Sequence, residues 1–237
     1  MSTASATQRI DTSAPPVAAP VASPAAVAVR KYAVELIGQF IFVFTVGTAI
    51  SSGSPLAPLA IGAVLMVLVY AGGHISGGHY NPAVTVAALV RGRISPADAV
   101  GYWVAQFAGA ALSALLVMWV VGRGRAAAVP LSGHLLGAAF VAELLFTFAL
   151  TYVVLNVATS RDHPVNSFYG LAIGFTVFVG GAAVGGISGG VFNPAIGLGL
   201  SVMGILAWST FGWYVLAQVV GGILGGLAFR ALNPADK

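Results

Sequence analysis

Cysteine is absent from the 237 residues, which excludes disulfide frameworks, thiol catalysis and zinc sites of the cysteine type. Charge is nearly as scarce: six acidic and ten basic side chains make up 7% of the chain, where an average soluble domain carries roughly 25%. So few ionisable groups cannot coat a water-soluble globule. Collagen is excluded because the 31 glycines follow no triplet period, and dominant aliphatic runs exclude general disorder. What is present is apolar: 58% hydrophobic residues and a mean hydropathy of +0.95. The class left standing is an integral membrane protein with several spans and the lipid bilayer as its surroundings.

The net charge of +4 does not signal a nucleic-acid partner. Arg9, Arg30, Lys31, Arg91, Arg93, Arg123, Arg125, Arg161, Arg230 and Lys237 sit singly or in pairs between apolar runs, as loop charges in membrane proteins do. No Ser/His/Asp, paired-acid or phosphate-loop arrangement stands at useful spacing, so no enzyme is expected. His74, His79, His134 and His163 are too scattered to hold a metal, and no cofactor is implied.

Residues 1–30, rich in Ala, Pro, Ser, Thr and Val, read as a disordered tail. From Tyr32 onward, apolar stretches at about 32–50, 57–73, 98–121, 134–156, 167–184 and 211–230 each approach the ~20 residues that cross a bilayer. Two shorter stretches, Asn81–Val90 and Asn193–Met203, cannot cross and are expected to be re-entrant. Residues 31–232 form the membrane domain, and 233–237 a second tail. With the N-terminus inside, only Arg123 and Arg125 fall outside. That asymmetry predicts a multi-pass cell-membrane protein with both termini cytoplasmic.

The membrane domain is duplicated, with repeats at about 31–125 and 134–232. Glu35 corresponds to Glu143, Asn81 to Asn193 and Gln106 to Gln218. The offset is 108 residues at the first pair and 112 at the other two. Each repeat holds three spans, an odd number, so the second lies inverted and places a site near the midplane.

Asn is a preferred helix N-cap and Pro is favoured in the first helical position. Asn81-Pro82-Ala83 and Asn193-Pro194-Ala195 therefore each read as the start of a short helix. Glycine-rich loops precede both: His74-Ile75-Ser76-Gly77-Gly78 and Gly186-Ile187-Ser188-Gly189-Gly190. Irregular backbone at membrane depth survives only when buried or lining a water-filled cavity. Inversion brings the two half-helices together N-terminus to N-terminus, where partial charges of roughly +0.5 each repel cations and protons. The amides of Asn81 and Asn193 can then donate to a passing solute oxygen, and the loop carbonyls can accept. A third Asn-Pro-Ala, Asn233-Pro234-Ala235, lacks both the loop and the following helix and reads as coincidence.

On the two matched Asn-Pro-Ala elements, each behind Ile-Ser-Gly-Gly, residues 32–230 resemble the aquaporin, or major intrinsic protein, family. The resemblance implies an all-α membrane protein of six tilted helices plus two half-helices, with one pore per subunit and a homotetramer. It implies that Glu35 and Glu143 brace the pore loops, with Gln106 and Gln218 as hydrogen-bond partners. A proton relay through the two glutamates is the alternative. His74 is expected at the inner pore mouth, with His79 packed.

By the same resemblance, the constriction falls on Ile61, Gly181, Gly190 and Ile196. Water-selective members typically carry an aromatic, a His, a small residue and an Arg at these positions. Ile196 stands where that Arg would follow the second Asn-Pro-Ala, which predicts a wider, more apolar constriction. The glycerol branch is no closer match, since Gly197 stands where it carries Asp, while Trp213-Tyr214 looks like the water branch. The function expected is a passive channel for water and small uncharged solutes: glycerol, urea, ammonia, hydrogen peroxide or gases. The alternatives are ion conduction permitted by the missing Arg, and a coupled secondary transporter.

Overall fold

A computed structural model describes residues 23–122 and 128–236. The tail residues before 23, Arg123, Arg125 and Lys237 lie outside it. Among the described residues eight helices follow in order: α1 (Pro24–Ser52), α2 (Ala57–Ser76), α3 (Pro82–Arg91), α4 (Pro96–Val121), α5 (Gly133–Thr159), α6 (Tyr169–Ser188), α7 (Pro194–Val202) and α8 (Trp208–Leu232). Six are long and apolar enough to cross a membrane. The other two, α3 and α7, are the half-helices of the two repeats. The architecture is all-α, with no strand among the described residues.

Residues 24–30, expected from their composition in the tail, instead belong to α1, which begins at Pro24. Ser23 supplies the reason: its side chain accepts the Ala26 N–H at 3.3 Å, and Pro24 occupies the first helical position. Once capped, the Ala-Val run that follows continues the helix.

Helix α1 packs along α4 and α5 along α8, while α2 crosses α6. That crossing is set by two repeat-related glycines. A Cβ on Gly62 would meet the Gly174 carbonyl oxygen at 2.6 Å, and one on Gly174 would run into the Gly62 oxygen. Small residues let membrane helices approach backbone to backbone, where the pull is dispersion rather than water exclusion. Helices α2 and α6 both end on glycines in the left-handed region, Gly77 (φ 89°) and Gly189 (φ 87°). These turn the chain out of each helix and into the loops.

All basic residues among those described, Arg30, Lys31, Arg91, Arg93, Arg161 and Arg230, lie at helix ends or connections on the face where α1 begins and α8 ends, called here the near face. Lys31 meets Asp98 at 3.5 Å there. The stretch after α8 is not a loose tail as far as Asp236. Asn233 returns its N–H and its Nδ2 to the Phe229 carbonyl at 2.9 and 3.0 Å, and Asp236 closes a turn onto Asn233. Asn233-Pro234-Ala235 begins no helix.

Candidate functional site

Asn81 and Asn193 each sit in extended backbone just before a half-helix, with Pro82 or Pro194 in the first turn. The Asn81 Oδ1 accepts the Ala83 N–H at 2.8 Å. The Asn193 Oδ1 accepts those of Ala195 and Ile196 at 2.9 and 3.3 Å. The amide nitrogens reach across to the opposite repeat. Asn81 Nδ2 donates to the Phe192 carbonyl at 2.9 Å, and Asn193 Nδ2 to the Tyr80 carbonyl at 2.8 Å. A carboxamide carries two N–H groups, so each Asn keeps one beyond this cross-link. The reciprocal pair sets the two half-helices N-terminus to N-terminus.

A buried carboxylate backs each loop. Glu35 Oε1 accepts the Ser76 hydroxyl at 2.7 Å and the His79 N–H at 2.9 Å. Its Oε2 accepts the Tyr80 N–H at 2.7 Å and Gln106 Nε2 at 2.8 Å. Glu143 repeats this with Ser188 (2.7 Å), Val191 N–H (2.9 Å), Phe192 N–H (2.7 Å) and Gln218 Nε2 (2.8 Å). Tyr102 and Tyr214 donate their hydroxyls to the Ser76 and Ser188 carbonyls. Four charge-assisted bonds on one carboxylate are what make a buried charge tolerable.

The residues between brace and clasp are strained. Tyr80 (φ 43°) and Phe192 (φ 49°) occupy the left-handed region, which costs a non-glycine residue about 1–3 kcal/mol unless its surroundings hold it there. Each is held at both ends, its N–H by the glutamate of its own repeat and its carbonyl by the asparagine of the other. Gly38 and Gly72 leave the space that the Tyr80 ring fills.

Cavities among the described residues line the path on both faces. On the near face, His74, Gly77, His163 and Asn166 line a cavity of about 280 Å³. Ser76, Gly77, His79, Arg93 and Thr159 line one of about 290 Å³. On the opposite, far face, Ser54, Pro58, Ile61, Gly181 and Gly190 line one of about 320 Å³. Next to it and reaching both asparagines is a cavity of only about 20 Å³, walled by Phe42, Val46, Ile61, Gly190, Ile196 and Leu200, among others. That volume holds little more than one water.

The four positions expected at the constriction lie close together around two adjoining far-side cavities. Ile61 and Gly190 border both far-side cavities, Ile196 only the narrow one and Gly181 only the open one. The wall of the narrow cavity is largely aliphatic and aromatic. A Cβ on Gly181 would meet Pro58 at 3.3 Å, and one on Gly190 would meet the Gly181 Cα at 3.0 Å. The glycines let loop, α6 and Pro58 approach one another closely beside the open far-face cavity.

The structure gathers Glu35, Glu143, Gln106, Gln218, Ser76, Ser188, Gly77, Gly78, Gly189, Asn81 and Asn193 around the two loops. His74 lies in a near-face cavity wall. Sequence reasoning missed several wall residues. Phe42 and Val46 follow Glu35 at helical spacing on α1, a signal that could have found them, and Leu200 lies one helical turn beyond Ile196 on α7. His79, expected to pack, also borders the near-face cavity while its Nδ1 lies 3.0 Å from Thr85 Oγ1.

Comparison with known proteins agrees with this geometry. The sequence profile of the family described as "Major intrinsic protein" matches residues 21–229. The chain is 41% identical over 222 residues to the "Glycerol uptake facilitator protein-like 6" of Lactiplantibacillus plantarum, covering 87% of this chain and all of that one. It is 36% identical to the "Probable aquaporin TIP2-2" of Oryza sativa subsp. japonica, covering 86% and 88%. Among solved structures, the aquaglyceroporin of Plasmodium falciparum superposes with a TM-score of 0.73 at 20% identity, over 88% of this chain and 98% of that one. That last likeness speaks for the fold alone. Reciprocal asparagine clasp, paired carboxylate braces and family profile converge: the chain belongs to the major intrinsic protein family, a family of passive membrane channels for water and small solutes and not of enzymes.

Proposed function

We propose that the chain is a passive channel of the cell membrane, with its termini cytoplasmic, that passes water and small uncharged solutes in single file. One observation carries the reading. The narrow cavity holds about one water, its walls are aliphatic and aromatic, and polar groups come from Asn81, Asn193 and loop backbone. A solute there keeps hydrogen bonds on one side and sheds them on the other, which favours neutral molecules over ions. The paired N-termini of α3 and α7 add a positive barrier to cations. The gathering of basic residues on the near face supports a cytoplasmic placement, and family resemblance supports a homotetramer with one pore per subunit.

Stopped-flow light scattering of proteoliposomes tests the reading. Water flux well above that of empty liposomes is expected, with slower flux of glycerol-sized solutes. Fluxes equal to those of empty liposomes would overturn it. Ile196 in the place of a filter arginine favours a second reading, ion conduction, and current above background in planar bilayers would establish it. A coupled transporter finds less support, since four donors already occupy each intramembrane carboxylate.

A further inference from the structure

The narrow cavity stands between the asparagine pair and the open far-face cavity, sharing Ile61, Val177 and Gly190 with the latter. Side chains from four helices wall it: Phe42 and Val46 from α1, Ile61 from α2, Val177 from α6, and Ile196 and Leu200 from α7. Phe42 and Val46 are one helical turn apart, as are Ile196 and Leu200, so each pair lines about 6 Å of the path. That is roughly two water diameters of apolar collar.

The polar groups beside this collar are unevenly matched. The loop contributes Gly189, Gly190 and Val191, and all three of its N–H groups are engaged. They donate to the Gly185 carbonyl at 2.9 Å, the Ser188 hydroxyl at 3.1 Å and Glu143 Oε1 at 2.9 Å. What the loop backbone has left for a solute is carbonyl oxygen. The Ile196 N–H is engaged as well, with Asn193 Oδ1 at 3.3 Å, and its side chain carries no donor. Donors resume at the inner end, with the second amide N–H of Asn81 and of Asn193. A water in the collar can give its protons to the loop, while its lone pairs meet aliphatic wall. An acceptor stripped of water and left unanswered costs more than a made bond gains.

We propose that these six side chains form a donor-poor collar in which stripping water from a solute's lone pairs, rather than squeezing its girth, sets the rate of passage. Solutes are then ordered by how strongly they accept hydrogen bonds as well as by size, and an apolar constriction of this kind limits flow by dewetting. Ile61 and Leu200, from two different helices, become residues that determine specificity. The proposal rests on the reading of the chain as a water-passing channel.

Two substitutions at one position separate hydration from width. Leu200→Asn keeps nearly the same shape and adds an N–H donor, while Leu200→Ala opens room and adds none. In proteoliposomes of matched protein content, Leu200→Asn is expected to raise water flux roughly fivefold, the factor that one net hydrogen bond supplies. It is also expected to flatten the temperature dependence of that flux. Leu200→Ala is expected to speed glycerol more than water. Ile61→Asn repeats the test from α2 at a half-buried position, where a polar side chain strains the fold less. Asn variants no faster than a parent that itself conducts well above empty liposomes would overturn the collar and leave the channel standing. Leu200→Ala speeding water as much as Leu200→Asn would make width the limit and overturn it equally. Parent and variants all at the level of empty liposomes would overturn the channel reading and the collar together.

Discussion

The two pore loops share a frame and differ in what they show the pore. Glu35 and Glu143 accept the same four kinds of donor at distances that agree within 0.1 Å. Yet the first loop carries His79 and leads to Thr85 on α3, where the second carries Val191 and leads to Gly197 on α7. Room decides part of this: a Cβ on Gly197 would meet the Phe211 ring at 3.0 Å, while Thr85 is free to accept from Gln106 Nε2 at 3.2 Å. Of these, His79 borders a near-face cavity and Val191 the narrow one, so the near half of the path is the more polar. The half-helix bases differ as well. Arg91 ends α3 in an ionic clasp with Asp236 at 2.6 Å, whereas its counterpart Met203 packs near Gly47 and Val117. The repeat symmetry holds the backbone, and the cavity linings differ where that symmetry is broken.

The most damaging way to test the shared frame is to remove it. Glu35→Ala and Glu143→Ala each orphan four donors, at about 1–3 kcal/mol per buried group left unpaired, so each is expected to destabilise the fold by about 3 kcal/mol or more. Thermal melts in detergent should show similar losses for the two. Either variant melting like the parent would mean that its brace is not needed.

Ile196→Arg attacks the difference from the far side. It brings a bulky cation to a wall that is now apolar, and glycerol or urea flux is expected to fall roughly tenfold, about 1.4 kcal/mol of added barrier. Water flux should fall less. Unchanged glycerol flux in proteoliposomes would place the limiting point elsewhere.

His79→Val makes the first loop resemble the second. It removes the contact with Thr85, at about 1 kcal/mol, and should lower the melting point modestly while water flux persists. A loss as large as that of Glu35→Ala would show that the lining and the frame are not separable.

The smallest effect concerns the ionic clasp. The Arg161 N–H, against an opposing push from burial and with help from Arg91 and Arg93, holds the Asp236 carboxyl below its usual range. A carboxyl depressed in the folded state contributes stability above its unfolded value, about pH 4, and loses that contribution as pH falls through the folded value. Melts from pH 5 downward should therefore decline more steeply for the parent than for Asp236→Asn. Parallel curves would contradict the assignment.

Much of this was legible in the sequence, for definable reasons. The spans announce themselves because a bilayer admits only long apolar helices, and the half-helices because Asn-Pro caps a helix wherever it stands. The start of α1 was not, because Ser23-Pro24 caps a helix in a stretch whose Ala/Pro composition resembles a tail. Asp236 was hidden because its partner Arg91 lies 145 positions away and no local pattern marks such a pairing. The close approach of Gly181 to Pro58 was hidden likewise, because how near a neighbour comes to a glycine is decided in three dimensions.

The reciprocal bonds from Asn81 to Phe192 and from Asn193 to Tyr80 bear on how such a protein is made. Neither repeat can finish its own loop, because the carbonyl of each strained residue is answered only by the other copy. During synthesis the first half must wait in the membrane, its clasp open, until the second half arrives. The same bonds explain how a duplicated ancestor could have begun: a single repeat, pairing head to head with an identical copy, already holds both halves of the clasp.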